Sequence, residues 1–370
     1  FSYMYTLRFE TVCFQEVICS SALLALRHEL EPKDRMTSDV KPHQTSSSVS
    51  QSAVTNPRPG RACCYTIDEG YLLPTLLSAF QLRRELSAGV ADVVILCFGS
   101  ASDATRAAAE LCQTQGVAFR LVPRGVLEGN PMTCARFFLF ELLNGEYQDI
   151  LYVDGDTQVA GSLEPLLTYP LVDGRILAVP DPMAVMIASS EGVWPARRAY
   201  FRKIGISDSA QKRYFNAGVM RFHMSDWDAV SREGMDLYRR EEASLIFRDQ
   251  DALNLIVGDR CDLVSFRWNF PPFFLNFGAE RSIGPRLYHF MSNPRPWQGA
   301  FLPWGSTWHT PYATLAASHP DLAGTLRPLR GARYGRYVVQ QRLKRFQESR
   351  VWGRPEVRAR IDAMEARAAV

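Results

Sequence analysis

Asp149-Ile150-Leu151-Tyr152-Val153-Asp154-Gly155-Asp156 reads as a buried strand that empties into two carboxylates around a glycine. Working outward from it, the preceding residues repeat one pattern three times. Ala62–Ile67 is a short apolar run closed by Asp68-Glu69-Gly70, and Tyr71–Leu86 follows with helical spacing. Ala91–Phe98 is a second strand, followed by an Ala-rich helix over Ser102–Gln115 with Ser102 as its cap. Val117–Val122 is a third strand, and a helix is expected over Thr133–Leu143. Strands alternating with helices predict an α/β fold with a mainly parallel sheet covered on both faces. Such sheets bind ligands at the carboxyl ends of their strands. Asp68 and the Asp154/Asp156 pair both sit there, which locates a site.

Composition narrows the function classes. The 370 residues are 46% hydrophobic and 22% charged, with net charge +3, too small to argue for a nucleic-acid binder. No run approaches the length of a membrane span. Val12–Leu26 contains Gln15 and Glu16 and lacks a basic start, so it is read as neither a span nor a signal peptide. The eight cysteines form no paired CxxC motif. Cys97 sits in an apolar strand as a small hydrophobe, and a reducing, cytoplasmic setting is expected. Residues 1–60 are expected to be a poorly ordered extension ending in a Ser/Thr/Pro-rich linker. Residues 61–310 are expected to form the main α/β domain, with the βα units in 61–160 and a substrate-binding half in 161–310. Residues 311–370 form a basic helical tail: Arg330–Val370 holds 11 Lys and Arg against 4 Asp and Glu. Val339, Leu343 and Phe346 lie at helical spacing among its basic residues. The tail therefore suits peripheral contact with anionic lipid at the inner membrane face, or packing on its own domain.

Four constellations carry chemistry. Asp154 and Asp156 are hard oxygen ligands suited to Mn²⁺ or Mg²⁺, or they belong to a solvated turn. Tyr214-Phe215-Asn216-Ala217-Gly218 joins small residues, which permit close backbone approach, to an amide that pairs with hydroxyls. Asp249-Gln250-Asp251 places acids and an amide at the start of a helix, as caps or as sugar ligands. His289, followed by Arg295 and Trp297, offers an imidazole to complete a metal set and a guanidinium for phosphate.

Together and in this order, these motifs resemble family 8 glycosyltransferases over roughly residues 61–300. The resemblance implies a GT-A fold and a retaining, Mn²⁺-dependent (or Mg²⁺-dependent) hexosyl transfer from a UDP-sugar, glucose or galactose, to an acceptor hydroxyl of a saccharide, glycolipid or protein. Asp154, Asp156 and His289 would hold the metal. Asp68, Tyr71, Arg136, Asn216, Ala217, Asp251 and Arg295 would contact the donor. Gln250 would lie near the anomeric carbon with Asp249 and Asp181 beside it, and same-face attack is preferred over a covalent step on Asp249. Two other readings use the same residues. Val153-Asp154-Gly155-Asp156-Thr157 fits the nucleophile strand of haloacid-dehalogenase-like phosphatases, and a catalytically silent nucleotide-sugar binder would keep the same fold.

Overall fold

In the computed structural model the described residues are 60–326 and 328–370. The reading of residues 1–60 therefore falls, Gly60 apart, outside them. The described residues divide between two units. Among these, the larger comprises residues 60–188, 198–326 and 328–370. In the smaller, Ser189–Arg197 taken by itself is a loop that turns into a helix at Trp194.

The larger unit is built on seven strands. They are β1 (Arg61–Ile67), β2 (Asp92–Phe98), β3 (Ala118–Val122), β4 (Asp149–Val153), β6 (Ile176–Pro180), β7 (Phe215–His223) and β8 (Cys261–Leu263), in the spatial order β3-β2-β1-β4-β7-β6-β8. Only β7 runs against the others. A separate ribbon pairs β5 (Thr157–Val159) with β9 (Leu287–His289). All five residues of β4 are buried, as expected of a central strand covered on both faces. Helix α1 (Leu72–Glu85) packs against β2 and β5, and α2 (Asp103–Thr114) against β3. Ser102 caps α2 reciprocally. Its hydroxyl accepts from Thr105 N–H at 3.1 Å, while Thr105 Oγ1 accepts from Ser102 N–H at 2.8 Å. The six cysteines among the described residues are buried thiols. Burial pushes those of Cys97 and Cys134 up to about 12, so they pack as small hydrophobes.

One expected element differs. Over Thr133–Leu143 the chain forms a 3₁₀ helix, Met132–Phe138, and only then an α-helical turn, Leu139–Leu143. The tighter winding follows Pro131 and stacks residues three apart on one edge. Thr133 and Arg136 share the cleft edge, while Cys134, Phe137 and Phe138 enter the core.

Helix α3 (Met224–Glu241) covers one face of the sheet, with Trp227 stacked on Phe222 at 3.8 Å, and α4 (Arg248–Val257) packs on it. Further on, α5 (Gly305–Ser318) lies against α1. The C-terminal helices α6 (Gly331–Trp352) and α7 (Pro355–Glu365) pack on the same unit. Trp352 of α6 meets Phe273, Phe274 and Phe277, and Glu365 of α7 accepts from Ser265 Oγ and Phe266 N–H. The opposite face of α6 presents Val339, Leu343 and Phe346 at 67%, 49% and 53% exposure. No helix among the described residues is long and apolar enough to cross a membrane.

Candidate functional site

The topology explains why residues far apart in sequence meet. Strand β7 is antiparallel to β4, so its first residues lie beside the last of β4: Val153 pairs with Val219, and Asp154 N–H donates to the Gly218 carbonyl at 2.8 Å. Immediately after the acids, Thr157 of β5 pairs with His289 of β9, and Phe290 N–H donates to the Asp156 carbonyl at 2.9 Å. The Asp-Gly-Asp turn is therefore held between the start of β7 and the end of β9.

His289 Nε2 stands 3.1 Å from Asp156 Oδ1 and 3.7 Å from Asp154 Oδ2. One ligand atom from each of the three residues falls within 4.8 Å of the others. Neighbouring ligands of an octahedral Mg²⁺-sized ion lie about 3 Å apart, so this donor set fits a hard divalent cation. Two glycines make room. A Cβ on Gly155 would lie 2.2 Å from Thr75 Oγ1, and one on Gly218 would lie 2.3 Å from His289 Cε1 and 2.8 Å from Asp154 Oδ2.

Arginines frame the acids. Arg136 is buried and reaches Asp154 Oδ1 at 3.0 Å, Asp249 Oδ2 at 3.1 Å and the Ala217 carbonyl. Arg295 Nη1 lies 2.5 Å from Asp156 Oδ2. Tyr152 donates its hydroxyl to Asp154 Oδ1 at 2.8 Å. Burial alone would raise the Asp156 carboxyl, but His289 and Arg295 overcome it and hold the group well below the usual range. For His289, burial works to lower the imidazole, yet the Asp156 carboxylate wins and raises it. Asp249 goes the other way: burial outweighs Arg136 and pushes it up to about 6.

A second cluster adjoins the first. Asp181 Oδ2 accepts from Asn216 Nδ2 and from Gln250 Nε2, both at 3.1 Å, and Asp181 Oδ1 accepts from Met183 N–H at 2.9 Å. Gln250 Oε1 accepts from Asn216 Nδ2 and Ala217 N–H, each at 3.1 Å. An open cleft connects the two clusters. Its walls bring together Arg136, Asp154, Asp156, Asn216, Ala217, Asp249, Gln250, His289 and Arg295 from the sequence reading.

Other expected residues sit elsewhere. Asp251 is fully buried, accepting from Tyr214 Oη at 2.7 Å, from Phe247 N–H at 2.7 Å and from the Tyr200 hydroxyl. Its carboxylate fastens the start of α4 and does not line the cleft. Asp181 lies behind Asn216 and Gln250. Asp68 and Tyr71 stand at the end of β1, next to β4. Asp68 caps the following turn through Gly70 N–H at 3.1 Å and faces Arg124 at 3.7 Å, and Tyr71 meets Trp297 edge-on at 5.8 Å.

Several site residues were not foreseen. Tyr152 shares the decisive strand and reads as core. Asn269 Oδ1 lies 2.8 Å from His289 Nδ1, and its only sequence signal is an amide between Trp268 and Phe270 in an aromatic run. Ile246, Phe247 and Arg248 form the outer wall, with Arg248 in the left-handed region at φ 47°.

Comparison with known proteins agrees with this geometry. The family model "Glycosyl transferase family 8" matches residues 128–300. The lipopolysaccharide glucosyltransferase WaaO of Escherichia coli (strain K12) is 25% identical over 172 residues, covering 44% of this chain and 48% of the relative. The lipopolysaccharide 1,3-galactosyltransferase of Salmonella typhimurium is 24% identical over 184 residues, covering 47% and 50%. The chain thus spans about half the length of the curated relatives it matches. The structure of the galactosyltransferase LgtC with donor and acceptor sugar analogues superposes with a TM-score of 0.56 at 22% identity, over 72% of this chain and all of that one. The bifunctional glycosyltransferase WbbM gives 0.57 at 19% identity, over 74% and 52%. These two likenesses establish the GT-A fold. The phosphatase reading of Val153–Thr157 gives way, because that strand lies inside the matched segment. Residues 128–300 bring the two acids, the Phe-Asn-Ala-Gly strand start, the first turn of the Asp-Gln-Asp helix and the histidine around one cleft, and over that segment the chain is similar to glycosyl transferase family 8.

Proposed function

We propose that this glycosyltransferase moves a hexosyl group, glucosyl or galactosyl, from a UDP-sugar to an acceptor hydroxyl with retention of anomeric configuration. The observation that carries the reading is the convergence of His289 on Asp154 and Asp156 beside the amide cluster of Asn216 and Gln250. Asp154, Asp156 and His289 would hold the divalent ion, Mn²⁺ in this reading, and a bound ion supplies positive charge to the departing diphosphate. Arg136 and Arg295 add fixed cationic charge in the same cleft, already oriented by their carboxylate partners. Asp68 and Tyr71, at the end of β1, are assigned to the nucleoside.

The hydroxyls of the transferred sugar exchange with the hydrogen bonds now made among Asp181, Asn216, Ala217 and Gln250. Asp251 acts at one remove, by fixing the start of α4. The bond from the anomeric carbon to the diphosphate oxygen breaks, and the acceptor oxygen bonds to the same face. The acceptor proton passes to the leaving phosphate. A covalent step on Asp249 is disfavoured, because Arg136 and burial already engage that carboxyl. Gln250 is a neutral amide whose carbonyl already accepts two hydrogen bonds, which suits it to steadying a cationic centre without attacking it.

The exposed face of α6 supports a peripheral site of action on an anionic membrane surface, the inner face in this reading. The helix carries six Lys and Arg against one acid, Glu348, which is buried. Val339, Leu343 and Phe346 project on the side away from the body.

The decisive experiment is a screen of UDP-sugars scored by UDP release with Mn²⁺ present and after chelation. Metal-dependent release from UDP-glucose or UDP-galactose is expected. Tight UDP binding with no turnover of any donor would return the chain to a silent binder.

A further inference from the structure

We propose that Asn269 is a positioning residue for the cation site, and that a relay of amides running from Asp181 through Asn216 and Asn269 fixes which nitrogen of His289 faces the cation. The inference rests on the cation-dependent reading above and adds a residue and a coupling to it.

The direction of the relay follows from groups with only one hydrogen-bonding sense. Backbone N–H groups only donate, and an ionised carboxylate only accepts. Gly218 N–H donates to Asn216 at 3.0 Å, so the Asn216 atom on that side is the oxygen. The Asn216 nitrogen then points at Asp181 Oδ2, 3.1 Å away, which accepts from it. The same logic holds for Gln250, whose oxygen takes Ala217 N–H and whose nitrogen meets Asp181.

With the Asn216 oxygen fixed, its neighbour at 2.8 Å on Asn269 is the nitrogen. The reverse rotation of Asn269 would set two amide oxygens against each other at that distance. The Asn269 oxygen therefore faces His289 Nδ1, also at 2.8 Å, and Nδ1 must carry a proton to donate to it. Nε2, the nitrogen beside Asp154 and Asp156, is left as the one with a lone pair to offer a cation.

Burial makes this arrangement hard to evade. Asn269 is 2% exposed and His289 3%, so no solvent stands ready to replace either hydrogen bond. A further consequence is that the cation site and the sugar-facing amides share one hydrogen-bonded chain. A sugar hydroxyl that pulled on Asn216 would be felt at His289, and the reverse.

The test uses the full chain and Mn²⁺ as the probe, with affinity read by electron paramagnetic resonance in the absence of any nucleotide. Asn269→Ala removes both hydrogen bonds, and Mn²⁺ affinity is expected to fall by about tenfold or more, the usual effect of losing a partner behind a metal ligand. Asn269→Asp keeps an acceptor for Nδ1 but loses the donor to Asn216. It should hold Mn²⁺ affinity within a few-fold of the parent while weakening UDP-sugar binding. Imidazole ¹⁵N shifts of the Mg²⁺-loaded parent should show the proton on Nδ1, a readout that does not depend on any variant folding. Parent-like Mn²⁺ affinity in Asn269→Ala, or a proton on Nε2 in the Mg²⁺-loaded parent, overturns the relay alone. A parent protein that binds no Mn²⁺ overturns the cation-dependent reading beneath it.

Discussion

The Cβ that Gly218 lacks would stand 2.3 Å from Cε1 of His289, closer than any non-bonded carbon pair tolerates. The imidazole occupies space that only glycine leaves free, on a strand that also fixes Asp154. Gly218→Ala should therefore destabilise the fold by about 1–3 kcal/mol through overpacking and displace the ring. Thermal melting and Mn²⁺ titration check this. An alanine variant with parental melting and parental Mn²⁺ affinity would show that the ring is not held there.

His289→Ala removes the only nitrogen of the donor set without touching either carboxylate. Turnover of UDP-sugar should fall by about 10²-fold or more, comparable to losing one group that stabilises developing charge. Metal-free UDP binding should change little. Initial rates against Mn²⁺ concentration separate the two, and a variant that saturates at the same Mn²⁺ level with the same rate would contradict the assignment.

Cation binding should release protons. In the metal-free protein burial works to lower the His289 imidazole, but the Asp156 carboxylate overcomes it and raises it above its ordinary value, so below that raised value the ring holds a proton that a cation must displace. Affinity for Mn²⁺ should rise with pH through and above that region. Calorimetry in buffers of different ionisation enthalpy should show up to about one proton released per ion. His289→Ala should abolish the buffer dependence.

Asp249 predicts a pH dependence of stability with a definite sign. Its folded carboxyl is pushed from an ordinary 3.8 up to about 6, mainly by burial. The fold therefore favours the protonated form, and this contribution is fully present below the ordinary value and lost as pH rises through about 6. Asp249→Asn should gain stability relative to the parent at pH 7 compared with pH 4. Urea unfolding at both values measures it, and an unchanged difference would show that Arg136 fully offsets the burial.

The outer face of α6 predicts membrane binding that is separable from catalysis. Replacing Leu343 and Phe346 together by Asp should reduce co-sedimentation with phosphatidylserine vesicles by about tenfold or more, since each basic residue near such a surface contributes about 1 kcal/mol and the apolar pair adds burial. Raised salt should weaken the parent in the same assay. UDP affinity should be unaffected, and unchanged vesicle binding would leave the face without this partner.

Much of the site was legible because its parts are local. Asp154 and Asp156 lie two apart after a hydrophobic strand, and alternating strand and helix patterns are enough to place that strand centrally in a parallel sheet. The Asn216 and Gln250 motifs could be recognised as polar groups set among small or helical neighbours. The helix expected over Thr133–Leu143 is 3₁₀ before it is α-helical, and composition does not distinguish the two windings when both bury the same residues.

By itself, the sequence determined the first four strands along the chain, the turn that carries the acids and the chemical character of each candidate ligand, because these depend on spacing along a few neighbouring residues. Only the tertiary structure decided which of them meet. The antiparallel run of β7 against β4 and the pairing of Thr157 with His289 bring distant residues within hydrogen-bond reach. Only there could Asp251 be seen to turn away from the cleft and Asn269 to stand behind the histidine. Hydrogen bonding and desolvation act over a few ångströms in space, and a distance of that kind has no counterpart in residue numbers.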